Sequence, residues 1–252
     1  MSTHAHSFTS DQKDQWRQRN DDFYRKLRPL HKNGKLTGCV VETAGSTGPL
    51  SFGHMADQLR SPKDFVLVEI RPATWIKTAK TLCRSYTDPA ARPRLEKGEA
   101  VSVALRMLRS GEAVAALTLD VCDMVGSQTW WTSYGSILKD TALRSIEALG
   151  AFALILNHTL DLPPNKTFDP ASERLKKHVL YLCQTFKGWG ATPERFLGKR
   201  PSEQAAVADD RSFVGRLGSF EIYLGEGRKF RMATVRMMLE PVRMMIDQEP
   251  RR

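Results

Sequence analysis

The residues best suited to chemistry lie near the end of the chain, in a basic turn between two apolar runs. Ser219–Leu224 and Phe230–Met237 are typical of strands, and Gly225-Glu226-Gly227-Arg228-Lys229 lies between them. Glycine lets a backbone approach a ligand closely, and neighbouring cations favour a phosphate ligand. The turn therefore predicts that Arg228, Lys229 and Arg231 grip phosphates, although a solvated β-turn explains the same residues equally well.

The whole chain carries an excess of positive charge. It has 38 Lys and Arg against 28 Asp and Glu, a net charge of +10. Such an excess favours polyanions. We expect RNA, structured or single-stranded, as the partner, with DNA as an alternative and a ribonucleoprotein subunit as a further interpretation. The other cations expected to contact nucleic acid are Arg25, Lys26, Lys199, Arg200 and Arg216.

The basic turn also resembles a known motif. Gly225-Glu226-Gly227-Arg228-Lys229-Phe230 is similar to the C-terminal glycine-rich loop of the RAMP superfamily, which includes the CRISPR RNA-processing endoribonucleases. Arg228, Lys229 and Phe230 match the family pattern in order, whereas Arg231 stands where another glycine is common. The resemblance implies ferredoxin-like (RRM-like) modules, binding of a repeat hairpin, and RNA cleavage without a metal or cofactor.

Such cleavage needs a cation to stabilise the transition state and a weak base to assist the attacking 2′-OH. His54 and His31 are the candidate bases, and Arg28 is a further catalytic cation. The alternative function is a non-enzymatic DNA-binding replication or regulatory protein of a plasmid or phage. A third interpretation is a structural subunit whose basic surface contacts an acidic protein.

Other chemistries find less support in the sequence. It contains no HExxH, GxSxG, GxxxxGK[ST] or CxxC motif, and Ser46-Thr47-Gly48 is too short for a phosphate loop. Asp209-Asp210 and the pair Asp120 and Asp123 could bind magnesium, but a loop pair and a strand end explain them better. We therefore predict no metal site.

The elements that position these residues follow from apolar periodicity. Ala100–Met124 favours a β-hairpin, with a helix over Glu99–Arg109 as the alternative. Ala44–Gly53 is rich in glycine, serine and proline, which predicts a loop around His54. The predicted strands are Gly38–Thr43 and Phe65–Ile70. The predicted helices cover Thr9–Arg28, Pro72–Arg84 and Ser136–His158, and two more precede the terminal hairpin, one from Asp169-Pro170 to Gly188 and a short turn from Thr192-Pro193 to Leu197.

The order of elements predicts an α+β fold with a mainly antiparallel sheet. Together with the resemblance, this gives ferredoxin-like (RRM-like) antiparallel modules with helical insertions. We expect a disordered tail over 1–8, an N-terminal α+β part over 9–135, and a C-terminal helical part with the terminal hairpin over 136–252. No apolar run approaches the roughly 20 residues of a membrane span, so we expect a cytoplasmic protein without membrane contact.

Overall fold

The computed structural model describes residues 10–44, 48–124, 128–161, 213–215, 218–224 and 231–240. Its α-helices are α1 (Ser10–Arg25), α2 (Gly48–Met55), α3 (Pro72–Ser85), α4 (Ala100–Arg109) and α5 (Gln128–Leu149). Its strands are β1 (His31–Lys32), β2 (Lys35–Leu36), β3 (Cys39–Thr43), β4 (Phe65–Glu69), β5 (Arg94–Lys97), β6 (Val114–Met124), β7 (Phe152–Asp161), β8 (Phe213–Gly215), β9 (Gly218–Leu224) and β10 (Arg231–Leu239).

One eight-stranded sheet organises the molecule, in the order β5-β4-β3-β6-β7-β10-β9-β8. The first five strands in this order pair in parallel, and the last three join the sheet by antiparallel pairing. Parallel neighbours need a crossover between them, which α2, α3, α4 and α5 provide. The predicted ferredoxin-like antiparallel fold is therefore wrong: the molecule has a doubly wound α/β arrangement.

Helices cover both faces of the sheet. On one face, which we call the α1 face, Tyr24, Phe52 and Leu82 from α1, α2 and α3 pack on Val40 and on other alternate strand residues. On the opposite face, α4 and α5 pack on the intervening residues, with Val101 and Leu138 in the core. This double coverage explains why every residue of β4 is buried.

The predicted strands over Gly38–Thr43 and Phe65–Ile70 and the predicted helix over Pro72–Arg84 are confirmed by β3, β4 and α3. Two other predictions, the loop over Ala44–Gly53 and the hairpin over Ala100–Met124, are wrong because each range contains a helix. Gly48–Met55 is helical, so His54 lies at the end of α2 and not in a loop.

The predicted hairpin over Ala100–Met124 is wrong in its first half. Residues Ala100–Arg109 form α4, which was the alternative. The side chain of Glu99 caps this helix by accepting from the amides of Val101 and Ser102, and such a cap stabilises a helix start. Val101, Val103 and Leu105 alternate as in a strand, but Ala104 and Met107 are buried with them, which completes the apolar side of a helix.

The predicted helix over Ser136–His158 is wrong beyond Leu149. Gly150 adopts φ 78°, the left-handed conformation that commonly ends a helix. Residues Phe152–Asp161 then form β7, the strand that pairs with both β6 and β10. The apolar run across Gly150 therefore contains the end of one element and the start of another.

The predicted terminal hairpin is confirmed by β9 and β10, which pair antiparallel with Thr234 opposite Glu221. Its turn, with Arg228 and Lys229, lies outside the described residues, as does the predicted tail over 1–8. The sheet contains strands from both sides of residue 135. Among the helices that the structure describes, none is long and apolar enough to cross a membrane.

Candidate functional site

The carboxyl ends of the parallel strands meet at one edge of the sheet, which we call the carboxyl edge. The chain runs outward from β3 to β4 and β5, then returns to place β6 on the other side of β3. In open α/β sheets, ligands bind outside the carboxyl ends of the strands at such a reversal. We therefore expect a ligand site at the carboxyl ends of β3, β4 and β6.

A row of polar side chains lies on the α1 face toward this edge. Register places Glu42 of β3 beside Thr118 of β6, and Thr118 of β6 beside Ile155 of β7. Because successive strand residues alternate between faces, the polar members of the row share the face of Val40, Phe65 and Ile155. They are Glu42, Glu69, Thr118, Asp120, Asn157, Thr234 and Arg236.

Glu42 is a buried acid of the row, with 5% exposure. Burial raises its pKa to about 7, although a hydrogen bond with Ser51 and the charge of Arg17 act in the opposite direction. The negative charge of Asp120 adds to the increase. Arg17 Nε also donates to Ser51 Oγ at 3.3 Å, so α1 and α2 together hold this carboxyl group.

Glu69 ends β4 with 3% exposure. Its Oε1 accepts from the backbone N–H of Arg71 at 2.8 Å, and the Arg71 Nε lies 3.6 Å from the same oxygen. In the part of the chain that the structure describes, no hydrogen bond occupies Oε2. A carboxylate held by one oxygen in this way can accept hydroxyl groups of a ligand with the other.

A line of hydrogen bonds joins four elements across the α1 face, and we call it the donor chain. Trp16 Nε1 of α1 donates to Thr234 Oγ1 of β10 at 2.9 Å. Thr234 donates to Asn157 Oδ1 of β7 at 2.8 Å, and Asn157 Nδ2 donates to Asp120 Oδ1 of β6 at 2.9 Å. The donor chain ends with Asp120, toward the carboxyl edge.

Helix α1 is fixed to the sheet by further buried polar contacts. Tyr24 Oη and Thr118 Oγ1 lie 2.5 Å apart, and Arg236 Nε donates to Asn20 Oδ1 at 2.7 Å. Burial raises the pKa of Tyr24 above its ordinary range. The α1 face is therefore polar toward the carboxyl edge and apolar elsewhere.

Helix α3 presents a row of cations to solvent. Lys77, Lys80 and Arg84 are exposed, and no ion pair joins any of them to another described residue. At 3.6 residues per turn they lie on one side of the helix and span about 10 Å of its axis. No acidic residue occurs between Glu69 and Asp88. Two exposed isoleucines lie next to this row, Ile70 (61%) and Ile76 (49%).

The structure disperses the cations predicted from the N-terminal region. Arg25 is bound to Asp21 and Asp57, and these hydrogen bonds raise its pKa. Lys26 and Arg28 are exposed. Arg231 begins β10, next to Asp161 in register. Arg216, Lys199, Arg200, Arg228 and Lys229 lie outside the described residues, so nucleic-acid contact by these side chains stays a prediction.

The two predicted bases belong to different elements. His31 lies in β1, with its Nδ1 2.8 Å from the carbonyl oxygen of Leu27. His54 is exposed near the end of α2. Asp209 and Asp210 are outside the described residues. Within the described ranges no three His, Cys, Asp or Glu side chains form a group that could hold a metal ion.

Sequence reasoning missed Glu42 and Glu69 as site residues. The available signal was an acid at the end of each of two predicted strands, with the glycines Gly45 and Gly48 following the first. Asp120 was considered only as half of a magnesium pair with Asp123. The polar partners Trp16, Asn157 and Thr234 have no local sequence signal, since they come from distant segments.

Comparisons with known proteins give similarity of fold alone. No protein-family profile and no curated protein match the chain. Similar solved structures include an O-methyltransferase from Bacillus cereus in complex with SAH (12% identity, 94% of this chain and 83% of that chain covered, TM-score 0.47). Others are a SAM-dependent methyltransferase from Agrobacterium tumefaciens (12%, 89% and 62%, 0.47) and a putative rRNA methylase from Clostridium thermocellum (13%, 87% and 93%, 0.37).

These findings correct the functional hypotheses drawn from the sequence. The sheet is parallel at its centre, whereas the resemblance implied antiparallel ferredoxin-like modules. The resemblance to CRISPR RNA-processing enzymes is therefore wrong, and so is the function as a metal-independent endoribonuclease that it implied. The alternative of a non-enzymatic DNA-binding plasmid or phage protein is wrong as well, because the terminal hairpin of β9 and β10 pairs into this same sheet.

Proposed function

We propose that the chain is a methyltransferase that binds S-adenosylmethionine at the carboxyl edge. The observation that carries this is Glu69, a buried acid at the end of β4 with one uncommitted oxygen. It lies 21 residues after Gly48. An acid about 20 residues beyond a glycine-rich turn accepts the ribose hydroxyls of nucleoside cofactors in doubly wound folds.

Charge favours a cationic nucleoside over a dinucleotide. Glu42, Glu69 and Asp120 place three carboxyl groups toward the carboxyl edge, where they would repel a pyrophosphate and attract a sulfonium or ammonium group. Arg71 and Arg17 offset part of this charge but are engaged with Glu69 and with Ser51. When bound, S-adenosylmethionine supplies an electrophilic methyl group on a cationic sulfur.

The chain's own residues have separate tasks in this proposal. Glu69 binds and orients the ribose through Oε2, and its other oxygen stays with Arg71. Asp120 and, in its ionised form, Glu42 give the edge its affinity for positive charge. The buried α1 face excludes water from below the site, which strengthens each of these electrostatic interactions.

Binding tests the proposal directly. We expect wild-type protein to bind radiolabelled S-adenosylmethionine in equilibrium dialysis, and Glu69→Gln to bind it about 10- to 100-fold more weakly, the effect of losing a hydrogen bond to a charged group. Glu147→Gln, an exposed change on α5, is the matched control. Absence of binding to the wild type, or equal affinity in the Glu69 variant, would refute the proposal.

We propose RNA as the methyl acceptor, because the cationic row of α3 begins one turn from the carboxyl edge. Three cations in line suit the phosphate backbone of single-stranded RNA. Binding to labelled single-stranded RNA across salt should show a slope that falls by about 2 when Lys77, Lys80 and Arg84 become Gln, since each phosphate contact contributes about 0.7.

The matched control replaces three cations that already hold ion pairs, Arg106, Arg109 and Arg144. This triple variant should retain the wild-type slope. Equal slopes in both variants would contradict the RNA surface, and so would binding of the wild type to anionic vesicles but not to RNA. Single-stranded DNA is the comparison ligand that separates recognition of the 2′-OH from recognition of the backbone alone.

A further inference from the structure

The direction of the donor chain follows from its first two hydrogen bonds. A tryptophan Nε1–H can only donate, so Thr234 Oγ1 accepts from Trp16, and the Thr234 hydroxyl donates its proton to Asn157 Oδ1. The Asn157 amide must then present Nδ2 to Asp120 Oδ1. Rotating that amide by half a turn would set its carbonyl oxygen against the carboxylate, which only a protonated Asp120 could satisfy.

This direction matters because Asp120 shares its face with a second acid. Glu42 is opposite Thr118 in register, and Asp120 lies two residues further along β6 on the same face. Two neighbouring carboxyl groups do not ionise independently, and burial as well as hydrogen-bond donors decides which of them keeps the charge. Glu42 is buried, whereas Asp120 is half-buried and accepts from Asn157. Among the described residues, the other titratable or charged groups on this face are Arg17 and Tyr24 of α1, Arg236 of β10, and Glu69 of β4 with its partner Arg71.

We propose that Trp16 is a positioning residue: through Thr234 and Asn157 it assigns the negative charge of the Glu42–Asp120 pair to Asp120. As pH falls, Glu42 is protonated first and Asp120 second. This inference rests on the proposed function in one respect: Asp120 then carries the charge that attracts the cationic sulfur. Helix α1 sets the place of that charge through Trp16. Trp16 does not touch the ligand in this arrangement.

Carboxyl titration followed by NMR of protein labelled at Asp and Glu tests the order of protonation. In the wild type we expect the Asp120 resonance to titrate at lower pH than that of Glu42, with Asp120→Asn and Glu42→Gln used for assignment. Trp16→Phe and Thr234→Val each remove one donor with little change of shape, so both should move the Asp120 midpoint to higher pH.

The matched control is Trp75→Phe. It removes an indole N–H that is buried and has no hydrogen-bond partner among the described residues, so the Asp120 midpoint should stay at its wild-type value. The proposal is overturned if Asp120 titrates above Glu42 in the wild type. It is equally overturned if the Asp120 midpoint in the Trp16 and Thr234 variants equals that in the control.

Ligand affinity gives a second readout, which separates this inference from the proposed function. S-adenosylmethionine carries a sulfonium charge that S-adenosylhomocysteine lacks, so the ratio of their Kd values measures recognition of that charge. We expect Asp120→Asn to reduce the wild-type preference for the cationic ligand at least fivefold, and a preserved ratio would refute the role of Asp120. If the wild type binds neither ligand, the proposed function fails, whereas the titrations still decide the donor chain.

Discussion

Glu42 binds its proton more tightly in the folded protein than an exposed glutamate does. Burial raises its pKa from an ordinary value of 4.5 to about 7. The folded state therefore carries more protons than the unfolded state between these two pH values, so the contribution of Glu42 makes the free energy of unfolding fall as pH rises from about 4.5 to about 7.

Glu42→Gln should remove this dependence. Relative to the wild type, the variant should gain up to about 3 kcal/mol in the free energy of unfolding between pH 5 and pH 8, from 1.36 kcal/mol per pKa unit. Urea denaturation at the two pH values measures the difference. Glu147→Gln should parallel the wild type, and a Glu42 variant that also parallels it would show that the carboxyl group is not desolvated.

At the scale of elements, Gly38, which precedes β3, packs closely against the backbone at the start of β6. A Cβ atom on Gly38 would lie 2.8 Å from Ala113 O and 2.8 Å from Ala115 N, both backbone atoms. These atoms cannot move without disturbing the pairing of β3 with β6. We expect Gly38→Ala to destabilise the protein by about 1–3 kcal/mol, the usual effect of overpacking.

Gly53→Ala is the matched comparison for this prediction. Gly53 lies within α2, and an added Cβ would meet only the Tyr86 hydroxyl at 3.8 Å. Alanine favours a helix over glycine by about 0.5–1 kcal/mol, so this variant should be more stable than the wild type. Thermal denaturation of both variants gives opposite shifts if the close approach at Gly38 is real.

The docking of α1 depends on a polar contact beneath it. Arg236 is 2% exposed and donates to Asn20 at 2.7 Å. Asn20→Ala leaves a buried guanidinium group with one acceptor fewer, which should lower the free energy of unfolding by about 2 kcal/mol. A double-mutant cycle with Arg236→Met measures the coupling, and strict additivity of the two changes would contradict a direct interaction.

For the whole molecule, stability should decrease from the centre of the sheet toward the β5 edge. The central strands β6 and β7 have neighbours on both sides, and the first six residues of each are buried. Strand β5 is a partly exposed edge. Hydrogen exchange followed by mass spectrometry should therefore be slowest in peptides from β6 and β7. Equal protection of β5 would contradict this order.

The sequence predicted individual elements well and their assembly poorly. Runs such as Phe65–Ile70 and Pro72–Arg84 carry their period locally, so β4 and α3 were found. The alternating apolar residues of α4 fitted a strand as well as a helix, and Gly150 hid a helix–strand junction inside one apolar run. Strand direction depends on crossovers that no local pattern reveals, so the parallel sheet was not predicted.

The candidate site was missed for a related reason. Arginines and lysines near a glycine turn attract attention in a sequence, whereas Glu42 and Glu69 acquire meaning only when parallel pairing brings their strand ends together. The hydrogen bonds that reach Asp120 through Asn157 begin at residues as distant as Trp16 and Thr234. No single segment contains enough of this arrangement to indicate it.

The proton on Glu42 has a consequence for calorimetry. Near neutral pH this carboxyl group is close to half protonated, so a cationic ligand that binds beside it drives protons into the buffer. The heat of mixing then includes the ionisation heat of the buffer, and the same ligand gives different enthalpies in phosphate and in Tris. The slope of enthalpy against buffer ionisation heat counts the protons released.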